Sequence, residues 1–163
     1  MTGLNPKHLR RIIRVALWHI DLASEAAEDL VLMTAIAESG LRHLQQLEGP
    51  ARGLWQVEPE THCDVWRNYL EFRPVLADRV KGLSIGWGSA SSPPDAIFED
   101  LEGNLYYGAA ICRVIYRRVR EQLPPAGDVS AMGRYWKRYY NTDLGKGTVE
   151  EFVDRVTVAL KGV

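Results

Sequence analysis

Hydrophobic positions recur with helical spacing along most of the chain. Near the N-terminus they fall at i, i+3, i+4, i+7, i+8 and i+11, namely at Leu9, Ile12, Ile13, Ala16, Leu17 and Ile20. This spacing places them on one face of an amphipathic helix. A second helix is predicted from about Glu25 to Ser39, with Gly40 as the flexible residue that ends it. Glu38 therefore falls in the last turn of this helix.

The next segment contains two prolines that bound a predicted helix. Pro59 suits the first position of a third helix, and Pro74 is expected to end or kink it. The apolar residues of this helix are Val65, Trp66, Tyr69 and Leu70. Residues 84–95 are rich in Gly, Ser and Pro and are predicted to form a surface loop within the same domain.

The C-terminal half repeats the helical pattern. One stripe of apolar and small residues predicts a well-buried helix, which we expect to be the central one, closed by Pro124 and Pro125: it consists of Leu105, Gly108, Cys112, Ile115, Val119 and Leu123. A further helix is predicted over about residues 129–140, and Thr148 with Glu151 forms a capping box that opens a last one. No segment alternates in the manner of a strand, so the sequence predicts an all-α fold.

Composition bounds the class of protein. The 163 residues suit one domain spanning 1–163, and 46% hydrophobic with 25% charged residues is typical of a globular protein. A formal net charge of -1 predicts no attraction of the whole molecule to nucleic acid. Three local basic groups are expected to be solvated helix faces, and they are Lys7/Arg10/Arg11/Arg14, Arg113/Arg117/Arg118/Arg120 and Arg134/Lys137/Arg138.

Cysteine usage and the N-terminal segment add further expectations. Cys63 and Cys112 are predicted to be free thiols, and the sequence offers no metal-ligand spacing, so we expect neither a metal nor another cofactor. The apolar stretch near the N-terminus is interrupted by Arg14, His19 and Asp21. We therefore expect no signal peptide, synthesis in the cytoplasm and no membrane insertion.

The strongest chemical candidate is Glu38 at the helix end. The negative end of the helix dipole disfavours an ionised carboxyl group, and burial raises its pKa in the same direction. Such a group can donate a proton near neutral pH. Shortly afterwards Gly53 permits close backbone approach, Trp55 offers a flat apolar face to a sugar ring, and Gln56 supplies a donor and an acceptor.

These stretches, taken in order, resemble the catalytic domain of soluble lytic transglycosylases, in the lysozyme-like superfamily that includes goose-type lysozymes. The family pattern is Glu-Ser at a helix end, Gly-Leu-Met-Gln, Asn with Gly-Ala on a long helix, and Ala-Tyr-Asn. The matching stretches over about residues 28–142 are "ESG" at 38–40, "ARGLWQVEPET" at 51–61, "NLYYGAAI" at 104–111 and "RYYNT" at 138–142. The resemblance implies a lysozyme-like fold.

The resemblance also implies roles for individual residues. Glu38 is expected to be the general acid and base, and Ser39 to contact the substrate or the adjacent structure. Gln56 is expected to contact an N-acetyl or hydroxyl group of a sugar. Tyr140 resembles the tyrosine that hydrogen-bonds the catalytic glutamate, with Asn141 next to it in the cleft. Gly53, Leu54 and Trp55 complete the expected substrate-binding set.

Several positions depart from the family pattern. Trp55 stands where the family has Met, Tyr139 stands where it has Ala, and Thr142-Asp143 replaces a small Ala-Gly continuation. Asn104 fits the role of a helix cap. The far wall of the cleft is therefore expected to differ from that of the family.

The resemblance implies a lytic transglycosylase with one catalytic glutamate. It would cleave the β-1,4 bond between N-acetylmuramic acid and N-acetylglucosamine in peptidoglycan glycan strands and leave an anhydromuramoyl end. Two alternatives remain open at this point. One is a hydrolytic muramidase, in which Glu48, Glu58 or Glu60 positions a water; the other is a non-catalytic virion or assembly protein with the same fold. By analogy with phage-encoded wall hydrolases, phage virion or tail components are the expected partners. The expected site of action is the cell wall, reached as a virion component or after release through a holin.

Overall fold

The computed structural model describes residues 3–86 and 98–161, and their regular secondary structure is helical. The α-helices are α1 (Pro6–His19), α2 (Glu25–Ser39), α3 (Pro59–Asn68), α4 (Pro74–Lys81), α5 (Asp100–Gly103), α6 (Leu105–Arg117), α7 (Val129–Trp136) and α8 (Val149–Lys161). Within the described ranges β-pairing is limited to isolated bridges that join Gln45 to Arg52 and Arg52 to Val57. The all-α prediction is confirmed, and the described residues share one hydrophobic core.

Several helices begin or end at the capping residues that the sequence predicts. Ser24 caps α2 at one end, and Gly40 adopts a left-handed conformation with φ of 58° at the other. The Asn104 side chain accepts a hydrogen bond from the Tyr107 amide and caps α6. Thr148 and Glu151 form the reciprocal bonds of the predicted capping box at the start of α8.

Helix α2 is the most buried of the described helices, whereas α6 packs against α1, α2, α3, α4 and α5, as expected of a central helix. Residues on nearly every side of α2 are buried, including Leu30, Val31, Thr34 and Ala35. Helix α1 packs on α2 and α6, while α8 packs on α2 and α7. Burial on nearly all sides, with Glu28 and Asp29 paired to arginines of α1, suits this position in the interior.

Two predicted helices end earlier than their apolar patterns suggest. Helix α3 ends at Asn68, and Pro74 opens α4 where it was expected to end α3. Helix α6 ends at Arg117, so Val119 and Leu123 lie beyond it. The chain after α6 turns to pack against α7, where the Tyr135 hydroxyl donates to the Glu121 carbonyl at 3.0 Å.

The remaining sequence predictions concern loops and thiols. Residues 87–95 of the predicted surface loop lie outside the described residues, whereas 84–86 are non-helical and bond to the Asp100 carboxylate. Cys63 and Cys112 are free thiols, as predicted. In the described part of the chain, no helix has the length and apolar character needed to cross a membrane.

Candidate active site

Glu38 lies at the C-terminal end of α2 and opens on a cleft of about 1190 Å³. Its Oε1 atom accepts a hydrogen bond from the indole Nε1–H of Trp136 at 2.8 Å. Trp136 ends α7 and is held from both sides. Its ring packs against Phe152 of α8 with centroids 5.1 Å apart, and a Cβ at Gly147 would lie 2.7 Å from the ring. The carboxyl group of Glu38 is therefore oriented by a fixed donor.

Burial raises the pKa of Glu38 to about 7, and two weaker effects oppose it. The Trp136 hydrogen bond and the positive charge of Arg155 both stabilise the carboxylate and lower the pKa. Arg155 stays near this helix end because its guanidinium donates to the Ala37 carbonyl at 2.7 Å. Near neutral pH the group therefore exists as both acid and carboxylate, as the buried helix end predicted.

The groups behind Glu38 are neutral at this pH. Burial raises the pKa values of Cys112, Tyr116 and Tyr140 well above their ordinary values. None of the three carries a charge near pH 7. Arg155 is consequently the cation that bears directly on the ionisation of Glu38.

The cleft runs between two walls that differ in origin. One comes from the loop after α2 and the start of α3, and includes His43, Leu47, Gln56 and Glu58. The other comes from the end of α7, the segment at 137–147 and α8. Residues 137–141 form a π-helical turn, a feature that is frequent at functional sites. Glu38 lies between the two walls.

Asn141 lies in the cleft as expected, but its side chain has a structural partner. Lys137 Nζ donates to Asn141 Oδ1 at 2.8 Å and to the carbonyls of Thr142 and Gly145 at 2.7 and 2.9 Å. One ammonium group thus ties the π-helical turn to the following loop. The departure from the family pattern after Asn141 coincides with this loop.

The prediction that Trp55 stacks on a sugar is wrong. The Trp55 side chain is 1% exposed, and its indole N–H donates to the Val31 carbonyl at 2.9 Å. Leu54 is buried as well, so neither side chain is available to a substrate. Gly53 has a φ of +76°, and a Cβ there would lie 2.1 Å from the Leu101 carbonyl oxygen. The predicted close approach is present, but at a packing contact with Leu101.

The expected bond between Tyr140 and Glu38 is also absent. The Tyr140 hydroxyl donates to the Trp55 carbonyl at 2.7 Å, and Trp136 supplies the donor to Glu38. Trp136 precedes Tyr140 by four residues, which would place both on one face of a continuous helix. This spacing was the available signal for Trp136. Tyr140 still lines the cleft.

Ser39 and Gln56 shape the turn around the site. Ser39 is buried, and its hydroxyl donates to the Ala35 carbonyl at 2.9 Å and accepts from the Leu41 amide at 3.2 Å. Of its two expected roles, the contact to adjacent structure is the one observed. Gln56 lines the cleft with φ of 47°, and its amide nitrogen donates to the Gly53 carbonyl at 2.8 Å.

Other carboxylates border the same cleft. Glu48 and Glu58 line it and are exposed, while Glu151 also lines it but serves the α8 capping box. Glu60 is not among the lining residues. Across residues 3–86 and 98–161, no cluster of three or more His, Cys, Asp or Glu side chains could hold a metal ion.

Comparisons of the chain with protein-family models, curated proteins and solved structures find no match. The case for a function therefore comes from the residues of the cleft and from the order of motifs in the sequence.

Replacing Trp136 with Phe is expected to raise the pKa of Glu38 further. The variant keeps an aromatic ring against Phe152 but removes the N–H that stabilises the carboxylate. The measurement is a pH titration of the glutamate side-chain carbons by NMR, with the Glu38 signal identified by its loss in Glu38→Gln. An unchanged or lower pKa would contradict the role given to the indole.

Proposed function

We propose that this protein cleaves the β-1,4 bond between N-acetylmuramic acid and N-acetylglucosamine in peptidoglycan, as a lytic transglycosylase. The observation that carries the proposal is the Glu38 carboxyl group, with a pKa of about 7, oriented by Trp136 at the wall of a large cleft. A general acid and base works best with a pKa near the operating pH. The order of motifs in the sequence supplies the substrate class.

The size of the cleft favours a polymer. Sites for small molecules typically enclose about 300–1000 Å³, whereas this open cleft measures about 1190 Å³. Exposed leucines stand at its border, with Leu47 81% and Leu144 97% exposed. A glycan strand with several sugars bound in series fits such a space better than one small metabolite does.

In the first step, protonated Glu38 donates its proton to the glycosidic oxygen. The bond from that oxygen to the anomeric carbon breaks, and the leaving sugar departs with a hydroxyl group. The carbonyl oxygen of the N-acetyl group of the muramoyl residue bonds to the anomeric carbon as the leaving sugar departs. Glu38 is then a carboxylate, which Arg155 and the Trp136 N–H stabilise.

In the second step, the Glu38 carboxylate takes the proton of the muramoyl 6-hydroxyl group. The oxygen of that group bonds to the anomeric carbon as the bond from the N-acetyl oxygen breaks. This closes a 1,6-anhydro ring and regenerates the acid of Glu38 without consuming water. The 6-hydroxyl is tethered to the reacting ring, and well-oriented tethered groups reach effective molarities of about 10⁵ M or more. This advantage favours the intramolecular product over hydrolysis.

Hydrolysis to a reducing end is the second candidate, because Glu48 and Glu58 line the same cleft. Inverting hydrolases use a second carboxylate to activate water. Either residue would have to serve as that base. A non-catalytic virion role is the remaining alternative, and it would leave the raised pKa of Glu38 without a purpose.

Purified peptidoglycan offers the first test of cleavage. The protein is expected to clear a suspension of sedimented walls at a rate that falls as pH rises through about 7, because the first step needs the protonated form of Glu38. Turbidity at a series of pH values measures it. Walls left turbid at every pH, from more than one peptidoglycan chemotype, would favour the non-catalytic alternative.

A further inference from the structure

One face of α1 presents a basic stripe that ends in an exposed indole. Lys7, Arg11, Arg14 and Trp18 follow at i, i+4, i+7 and i+11, which places all four on the same side of the helix. Trp18 is 70% exposed, and Val15 beside it is 55% exposed. None of these side chains lines the cleft at Glu38.

A groove of about 400 Å³ runs beside the stripe, between α1 and the start of α6. Ile12, Val15 and Tyr106 give it apolar surface, and His8 and Arg11 complete its lining. Tyr106 is 42% exposed. Apolar side chains and cationic groups therefore share one open surface.

The charge of this face is one-sided. Helix α1 contains no acidic residue. Arg10 and Arg14 are compensated by Asp29 and Glu28 of α2, at 2.6 and 3.0 Å. Lys7 and Arg11 form no ion pair in the described part of the chain. The N-terminal end of the stripe therefore keeps its positive charge.

We propose that this face of α1 is a docking surface for an anionic phospholipid bilayer. The uncompensated cations complement lipid phosphate groups, and an exposed tryptophan is suited to the headgroup level, where one edge meets lipid and the other meets water. Val15 and the adjacent groove offer apolar surface to the same boundary. A linear soluble polyanion would match the cations but leave Trp18 and Val15 in water.

Docking of this kind is peripheral and independent of cleavage. It uses a different face from the cleft, so a variant that lacks the Glu38 carboxyl group keeps the surface intact. Electrostatic attraction to the bilayer is screened by salt. The apolar contact of Trp18 is screened much less.

The test is co-sedimentation of the full chain with vesicles of equal parts phosphatidylglycerol and phosphatidylcholine, against vesicles of phosphatidylcholine alone. Each basic residue near an anionic surface strengthens binding roughly fivefold, so reversing one charge in Arg11→Glu is expected to weaken binding by about tenfold or more. Trp18→Ala is expected to weaken it severalfold. Phe72→Ala removes an apolar side chain that is 71% exposed elsewhere on the surface, and should change nothing.

Glu38→Gln is expected to bind the vesicles as the parent does, which separates this proposal from the proposed activity. The fluorescence of Trp18 should shift to shorter wavelength on binding, a change that Trp18→Phe loses. No preference for anionic vesicles, or binding that survives both Arg11→Glu and Trp18→Ala, would overturn the proposal. Competition by soluble polyphosphate with no requirement for Trp18 would assign the face to a polyanion and overturn it as well.

Discussion

Replacement of Glu38 by glutamine is expected to abolish release of glycan fragments from peptidoglycan. The amide has nearly the shape of the carboxyl group, but it can neither give nor take a proton at any accessible pH. General acid and base catalysis contributes about 10²–10⁴-fold, and here one group serves both steps, so the loss should reach about 10³-fold or more. Fragment release per unit time from purified walls measures it.

The same variant is expected to be at least as stable as the parent. In the folded protein the Glu38 pKa is about 7 against an ordinary value of 4.5, so the folded state binds the proton more tightly than the unfolded chain. Stability of the parent therefore falls as pH rises from about 4.5 to 7. Glutamine removes this penalty. Urea unfolding should show Glu38→Gln more stable than the parent at pH 8, with the difference shrinking toward pH 5.

Two carboxylates of the same cleft serve as matched controls. Glu48→Gln and Glu58→Gln remove exposed charges at the cleft wall and should leave the rate within a few fold of the parent. Loss of activity in either variant to the level of Glu38→Gln would support the hydrolytic candidate. Full activity in Glu38→Gln would remove Glu38 from its proposed role.

Replacement of Trp55 by alanine is expected to destabilise the fold by about 3–5 kcal/mol, the range typical of deleting a large buried aromatic side chain. The Trp55 ring is 1% exposed, bonded to the Val31 carbonyl, and in contact with Gly108, where a Cβ would lie 2.7 Å from it. The free energy of urea unfolding measures the loss.

Trp18→Ala is the control, because that ring is 70% exposed and its removal should change stability by no more than about 0.5 kcal/mol. Trp55→Phe should fall between the two, since it removes the indole hydrogen bond but keeps most of the ring. If Trp55→Ala kept its stability but no longer bound chito-oligosaccharide, the result would show that Trp55 contacts the substrate, contrary to this account.

Local signals allowed much of the fold to be predicted. Gly40 ends α2, Asn104 caps α6, and Thr148 with Glu151 opens α8, each through a hydrogen bond between residues three or four positions apart. The ends of α3 and α6 could not be predicted in this way. Beyond α6 the chain is held by a tertiary contact, the hydrogen bond from Tyr135 to the Glu121 carbonyl, which local spacing does not reveal.

In the candidate site, too, some features follow from local sequence and others depend on tertiary packing. The placement of Glu38 at a helix end follows from the pattern around residues 28–40, whereas its raised pKa comes from burial of the carboxyl group. The partner of Glu38 does not follow, because Trp136 is 98 residues away and reaches the carboxyl through the packing of α7 on α8. The sequence alone favours Trp55 as a residue that contacts the substrate, because it does not show that the ring is enclosed. The enclosure comes from packing against Val31 of α2 and Gly108 of α6.

Mass spectrometry of the soluble products from purified peptidoglycan tests the central claim most directly, because it identifies the bond and the chemistry together. We predict muropeptides that end in 1,6-anhydromuramoyl residues, each lighter by one water than the product of a hydrolytic muramidase, and no such products from Glu38→Gln. Fully hydrated reducing ends would contradict transglycosylation and reassign the protein as a muramidase. The absence of any glycan fragments from the parent protein would contradict glycosidic cleavage altogether.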